Sequence, residues 1–111
     1  MQRIGGEGEE VNRIAFITRI LAKPGKRDEL RALNESVCAE SRNEPGTLVY
    51  VMSQSTENLD EFWYFDVYAD KAAFDAHCAS HAYKSMLANL GALVAEVRAT
   101  PLAPFAAVNF A

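Results

Sequence analysis

Each predicted strand of the chain is apolar on both faces, and this feature limits the folds that the chain can adopt. The strands are four segments rich in β-branched and aromatic residues: 11–22, 47–55, 61–68 and 94–102. In the third segment, Phe62 and Tyr64 point to one face, whereas Trp63 and Phe65 point to the other. Leaving a large apolar side chain in water forgoes about 1.5–3 kcal/mol, so a sheet built from these strands must be covered on both faces.

Segments with helical periodicity lie between the strands. The first is predicted over 26–43, and the second begins after Asp70, whose carboxylate is a good N-cap. Ser80 offers a further N-cap, so a new helical segment is predicted over 81–89, ended by Gly91.

The resulting order is strand, helix, two strands, helix, strand. This order predicts the ferredoxin-like split βαβ fold of the α+β class, with a four-stranded antiparallel sheet and both helices on one face. The other face stays bare in a single chain, and a second copy is the default partner to cover it, so we expect a homodimer with sheet-to-sheet packing. We divide the chain into a mobile N-terminal tail, a folded domain and an apolar C-terminal tail: 1–10, 11–102 and 103–111.

Composition and charge exclude several classes of protein. The net charge is −4 and the lysines and arginines form no stripe, so no nucleic-acid partner is expected. The most apolar window, 87–97, is shorter than the roughly 20 residues that span a bilayer, so no membrane partner is expected either. The first ten residues lack the apolar stretch of a secretory signal, and Cys38 and Cys78 lie inside helical patterns. We therefore expect reduced thiols in a cytoplasmic protein.

The two histidines of the chain, His77 and His81, suggest a metal site at first sight, because two histidines four residues apart on one helix can bind zinc. Here no glutamate lies between them, and the helical restart at Ser80 takes His81 off the face that His77 occupies. We predict no metal site.

His77 and Asp66 are the candidate acid–base residues. His77 lies on the inner face of its helix beside Phe74, where it is either a hydrogen-bonded core residue or a proton acceptor at a pocket. Asp66 lies between apolar neighbours on its strand, and a buried carboxylate needs a partner. It pairs with His77 or an arginine, or it caps a local group, and pairing with His77 is the favoured alternative.

The aromatic residues of the strands have two interpretations. They pack the core and a subunit interface, or they line a cavity for a planar aromatic substrate. The candidates for such a lining are Trp63, Tyr64, Phe16, Tyr50 and Phe74.

Three stretches together resemble the antibiotic biosynthesis monooxygenase family of dimeric α+β barrels. They are AFITRILAKPGKRDELRAL, SRNEPGTLVYVMSQS and EFWYFDVYADKAAFDAHCASHAYKSM. The resemblance covers about residues 11–102 and implies a catalytically mixed family. Some members oxidise quinols or aromatic polyketides with O₂ alone, others isomerise or degrade small phosphorylated diketones, and one branch breaks down haem.

The resemblance also bears on single residues. It implies that His77 lies at a ligand cavity and that a tryptophan on the sheet can contact substrate. The usual glutamate of the third strand is Asp66 here, which is one methylene shorter. The positions of the haem-degrading branch correspond to Phe16, His77 and Leu87, and none of them matches.

We therefore predict a cofactor-independent monooxygenase for a quinol or aromatic phenol, with His77 as base or proton relay, Asp66 as its orienting partner, and Trp63 with Tyr64 as aromatic wall. No nucleotide-binding fingerprint is present, so neither flavin nor nicotinamide is implied. Two alternatives remain open. One is an isomerase or lyase for a small oxygenated metabolite, and the other is a non-catalytic small-molecule binder. An anionic substrate would need a cation from Arg13, Arg19 or Arg98.

Overall fold

A computed structural model describes residues 13–108 of the 111-residue chain. Its elements, in chain order, are β1 Ile14–Ala22, α1 Arg27–Ser41, β2 Thr47–Gln54, β3 Glu61–Tyr68, α2 Lys71–Cys78, α3 His81–Leu93 and β4 Val94–Leu102. The predicted order of strands and helices is confirmed. The N-terminal tail over 1–10 and the last three residues of the C-terminal tail lie outside the described residues.

The four strands form one antiparallel sheet in the order β2-β3-β1-β4. This is the strand order of the ferredoxin-like split βαβ fold, which confirms the predicted fold class. The register places Asp66 of β3 between Phe16 of β1 and Tyr50 of β2, with all three side chains on the helix-covered face.

The predicted N-caps start α2 and α3 and separate them. The Asp70 carboxylate accepts a hydrogen bond from the Ala73 backbone at 2.8 Å, and the Ser80 hydroxyl accepts one from the Tyr83 backbone at 3.2 Å. The break between the two helices leaves His81 exposed at the start of α3, whereas His77 is buried on α2.

The prediction that Gly91 ends the last helix is wrong, because α3 continues through it to Leu93. Glycine costs a helix interior only about 1 kcal/mol, and tertiary contacts override that preference here. The Leu93 side chain is buried in the core, and its carbonyl accepts a backbone hydrogen bond from Lys23 at 2.8 Å. The ammonium of Lys23 also donates to the Gly91 carbonyl at 2.7 Å, which fixes the last turn against the β1–α1 connection.

The core lies between the sheet and the helices and contains Ile20, Leu30, Phe62, Tyr64 and Leu93. The opposite face of the sheet, which we call the open face, has exposed aromatic and aliphatic side chains, since Val51, Trp63 and Phe65 are 52%, 40% and 38% exposed. Residues 102–108 cross part of this face and enclose an apolar cleft with Ala15, Val49 and Phe65. Within residues 13–108, no helix is long and apolar enough to cross a membrane.

Candidate active site

A cavity of about 280 Å³ lies between the helix-covered face of the sheet and helices α2 and α3. The sheet contributes Phe16, Thr18, Ile20, Tyr50, Tyr64, Asp66, Tyr68, Val97 and Ala99. The helices contribute Phe74, His77, Tyr83, Met86, Leu87 and Leu90. Small-molecule pockets are roughly 300–1,000 Å³ and mostly apolar with a few polar groups, so this cavity suits a compact aromatic molecule.

The imidazole of His77 forms the polar end of this cavity and is 1% exposed. Its Nδ1 lies 2.8 Å from Oε1 of Glu44, and the Ser41 hydroxyl lies 3.4 Å from the same nitrogen. A carboxylate oxygen only accepts hydrogen bonds, so Nδ1 carries a proton in this contact, which in the neutral form of an imidazole leaves Nε2 as an acceptor. Nε2 is buried and has no hydrogen-bond partner among residues 13–108.

Three tyrosines surround the His77 ring. The ring centroids of Tyr68 and Tyr83 each lie 5.1 Å from that of His77, and the Tyr50 centroid lies at 5.4 Å in an edge-on arrangement. These contacts fix the orientation of the imidazole and keep bulk water away from Nε2.

Glu44 reaches His77 because the turn before β2 packs tightly on α2. A Cβ at Gly46 would overlap the Cβ of Ala73, so only glycine permits this approach. Thr47 donates a hydrogen bond of 2.7 Å to Oε1 of Glu44, the same oxygen that receives His77. Glu44 was not among the site residues predicted from the sequence, although the Glu-Pro-Gly stretch contains both the carboxylate and the glycine that places it.

Asp66 lies on the sheet side of the cavity, and its partner differs from the favoured prediction. Its Oδ2 accepts a 2.6 Å hydrogen bond from the hydroxyl of Tyr68, whereas the predicted bond to His77 is replaced by that of Glu44. Burial raises the pKa of Asp66, while the Tyr68 hydrogen bond and the nearby His77 oppose the rise. Asp66 is therefore a carboxylate whose affinity for protons is increased by an apolar surrounding.

Burial also raises the pKa of the hydroxyls of Tyr50 and Tyr68, and the charge of Asp66 adds to the effect. Both phenols consequently stay protonated, and each has one O–H group to donate. The Tyr68 hydroxyl is bound to Asp66, whereas the Tyr50 hydroxyl has no described partner and lines the cavity.

Most of the predicted site residues lie together, and one does not. Phe16, Tyr50, Tyr64, Asp66, Phe74 and His77 all line the cavity. Trp63 projects from the open face instead, so it forms no wall with Tyr64. Tyr68 and Tyr83 were not among the predicted site residues. In a sequence, a tyrosine that lines a cavity cannot be distinguished from one that packs in the core.

The cations proposed for an anionic substrate lie elsewhere. Arg19 forms an ion pair of 2.5 Å with Glu61, and neither Arg19, Arg13 nor Arg98 lines the cavity. Among residues 13–108, no group of three or more His, Cys, Asp or Glu side chains could hold a metal ion.

Comparisons with known proteins agree with this architecture. The family model described as "Antibiotic biosynthesis monooxygenase" matches residues 13–89. The protein named "Putative monooxygenase Rv0793" from Mycobacterium tuberculosis is 33% identical over 92 residues, which are 82% of this chain and 90% of that protein. Its solved structure superposes with a TM-score of 0.80 at 31% identity, covering 87% of this chain and 99% of that one.

Two further relatives extend the comparison. The structure of PA3566 from Pseudomonas aeruginosa has a TM-score of 0.82 at 25% identity and covers 89% of this chain and all of that one, 100%. The uncharacterized protein sll1783 of Synechocystis is 33% identical over 64 residues, which are 58% of this chain but only 44% of that protein's length. The family match and the Mycobacterium relative, together with the shared fold, show that this chain belongs to the antibiotic biosynthesis monooxygenase family.

Proposed function

We propose that the chain is a cofactor-independent monooxygenase that oxidises a quinol or related phenol with O₂. The observation that carries the proposal is the carboxylate of Asp66, which lies in an aromatic cavity where burial raises its pKa. Such a group accepts a phenolic proton better than an ordinary aspartate, because its protonated form is favoured by the same burial that disfavours its charge.

In the proposed reaction, Asp66 takes the proton of the substrate hydroxyl. The electron-rich anion then transfers one electron to O₂, and the resulting radical pair joins as a peroxide anion on a ring carbon. This anion takes the proton back from Asp66 and becomes a hydroperoxide. Loss of water from the hydroperoxide gives a quinone. One atom of O₂ ends in the quinone and the other in water, and the substrate supplies all four electrons.

The protein supplies orientation, exclusion of water and a path for the proton in this scheme. Tyr50 donates a hydrogen bond to an oxygen that becomes negative, since its raised pKa keeps its proton in place. His77 lines the same cavity without a direct hydrogen bond to Asp66, and its buried Nε2 is the acceptor that we assign as a proton relay. Glu44 acts as a positioning residue that fixes the His77 tautomer. His77 and Asp66 thus remain the proposed catalytic residues. The residue that orients His77, however, is Glu44 and not Asp66.

The alternative functions have less support from the cavity. An isomerase or lyase for an anionic metabolite would need a cation at the substrate, and no lysine or arginine lines the cavity among the described residues. A non-catalytic binder would use the same cavity without consuming O₂, so oxygen consumption separates it from the proposed enzyme.

We also propose that two copies pair through their open faces. The exposed side chains of Val51, Trp63 and Phe65 form an apolar surface on that face, and a second copy would remove it from water. In this arrangement Trp63 is an interface residue.

The function is tested by oxygen uptake of chelator-treated protein over a panel of hydroquinones and polycyclic phenols. We expect enzyme-dependent uptake that survives chelation, with one labelled oxygen atom in the product when isotopically heavy O₂ is used. Uptake no faster than autoxidation for every substrate would refute the monooxygenase and favour a binder or an isomerase.

A further inference from the structure

The cavity is sealed at one end and open at the other. At the sealed end, Tyr68 and His77 are 0% and 1% exposed. At the other end, Leu87 of α3 and Val97 of β4 are 50% and 56% exposed although both line the cavity. The cavity therefore opens between α3 and the edge strand β4, and the rim of this opening is apolar.

The strand register gives the distance between the two ends. Asp66 is opposite Phe16, and Ile20, four residues further along β1, is opposite Val97 on β4. Strands are about 4.8 Å apart and rise about 3.4 Å per residue, so the Cα atoms of Asp66 and Val97 are about 17 Å apart. A single aromatic ring bound at Asp66 would leave the outer part of this path unfilled.

The polar and apolar residues are also unevenly distributed along the path from Asp66 to Val97. Among the described lining residues, the only acid is Asp66, and there is no lysine or arginine. From Ile20 outward, the lining consists of aliphatic side chains: Met86, Leu87, Leu90 and Val97. An anionic group in this part of the cavity would be buried without a cation, which is unfavourable. An alkyl or isoprenoid chain would bury its apolar surface along the whole path, which is favourable.

We propose that the site accepts a neutral phenol with an apolar tail. The hydroxyl lies at Asp66, the tail runs along the aliphatic lining, and its end leaves the cavity between Leu87 and Val97. Leu87 and Val97 therefore favour substrates whose tail is apolar and long enough to reach the opening. The inference rests on the proposed function, because that function places the hydroxyl at Asp66, but its test uses binding alone.

The test measures anaerobic binding of three phenols by isothermal titration calorimetry at neutral pH. The probes are para-propylphenol, para-heptylphenol and para-hydroxyphenylpropanoate, the last being the carboxylate counterpart of the first. We expect para-heptylphenol to bind at least tenfold more tightly than para-propylphenol, because four more methylene groups leave water. We expect the carboxylate to bind at least tenfold more weakly than para-propylphenol. Equal affinity of the two alkylphenols, or tight binding of the carboxylate, would overturn the inference.

Substitutions at the opening distinguish binding along this path from nonspecific hydrophobic binding of the heptyl group elsewhere on the protein. Leu87→Glu and Val97→Glu should each weaken para-heptylphenol at least fivefold and change para-propylphenol less than twofold. Leu59→Glu is the matched control, since Leu59 is 48% exposed and lies outside the cavity, in the turn before β3. The inference is refuted if Leu59→Glu weakens para-heptylphenol as much as the two rim variants do.

The binding experiment also separates this inference from the proposed function. Tail-dependent binding without oxygen uptake by any phenol would leave the inference standing and refute the monooxygenase. Oxygen uptake that is indifferent to the tail would leave the monooxygenase standing and overturn the inference.

Discussion

Replacing Glu44 with alanine removes the acceptor of a buried hydrogen bond and leaves Nδ1 of His77 unpaired. The ring is 1% exposed in the parent protein, and the Ser41 hydroxyl at 3.4 Å is too distant to compensate without movement. An unpaired buried polar group costs about 1–3 kcal/mol. The hydroxyl of Thr47 loses the same acceptor but is only partly buried, so it adds little.

We therefore expect Glu44→Ala to lower the free energy of unfolding by about 2 kcal/mol, which corresponds to a fall in melting temperature of roughly 10 °C for a domain of this size. Glu44→Gln retains an oxygen that accepts from Nδ1 and should lose less than about 1 kcal/mol. Urea and thermal denaturation at one protein concentration measure both variants, because pairing of two chains would make stability depend on concentration.

Glu57→Ala is the matched control, since Glu57 is exposed and its side chain has no described partner. It should lie within about 0.5 kcal/mol of the parent protein. If Glu44→Ala is no less stable than Glu57→Ala, the contact with Glu44 is not what holds His77, and the proposed positioning role fails.

Three further predictions follow from the fold and the site. Gly46→Val should destabilise the protein by about 1–3 kcal/mol in urea denaturation, because its side chain would overlap Ala73; stability equal to the parent would show that the turn is not closely packed. Trp63→Glu should convert the proposed dimer to monomers in sedimentation velocity, since it places a charge on the open face, and an unchanged sedimentation coefficient would contradict that interface. The pKa of Asp66 is raised by folding, so its contribution to stability is fully present below the unfolded value of about 4 and is lost as pH rises through the folded pKa. The free energy of unfolding of Asp66→Asn, measured by denaturation, should therefore rise relative to that of the parent as the pH increases across that interval. If the difference between the two free energies does not depend on pH, the burial of this carboxylate is refuted.

The elements of the fold could be predicted because their signals are local. The alternation of 61–68 and the caps at Asp70 and Ser80 depend on side chains within a few residues of one another, and β3, α2 and α3 begin where those signals lie. The prediction at Gly91 was wrong because the contacts of this turn are long-range: Leu93 is buried in the core, and the Gly91 carbonyl accepts a hydrogen bond from Lys23, 68 positions away in the sequence.

The site could be predicted only in part, for the same reason. The side-chain alternation on β3 places Tyr64 and Asp66 on one face and Trp63 on the other, but it does not say which face the helices cover. The partner of His77 depends on how closely the turn at Gly46 packs against Ala73, which is a long-range contact with no local pattern. The only local sign of this contact was a carboxylate next to a Pro-Gly turn, and such a pattern does not identify the residue that the carboxylate binds.

In the proposed reaction, Asp66 accepts the substrate proton and no cofactor takes part. This role of Asp66 is tested most directly by kcat/KM for oxygen uptake of chelator-treated parent and Asp66→Asn proteins, with any phenol that the panel identifies as a substrate. General-base catalysis contributes about 10²–10⁴-fold, so the account predicts a loss of at least 100-fold in Asp66→Asn, with the fold intact by circular dichroism. An Asp66→Asn protein that consumes oxygen at the parental rate would contradict the account.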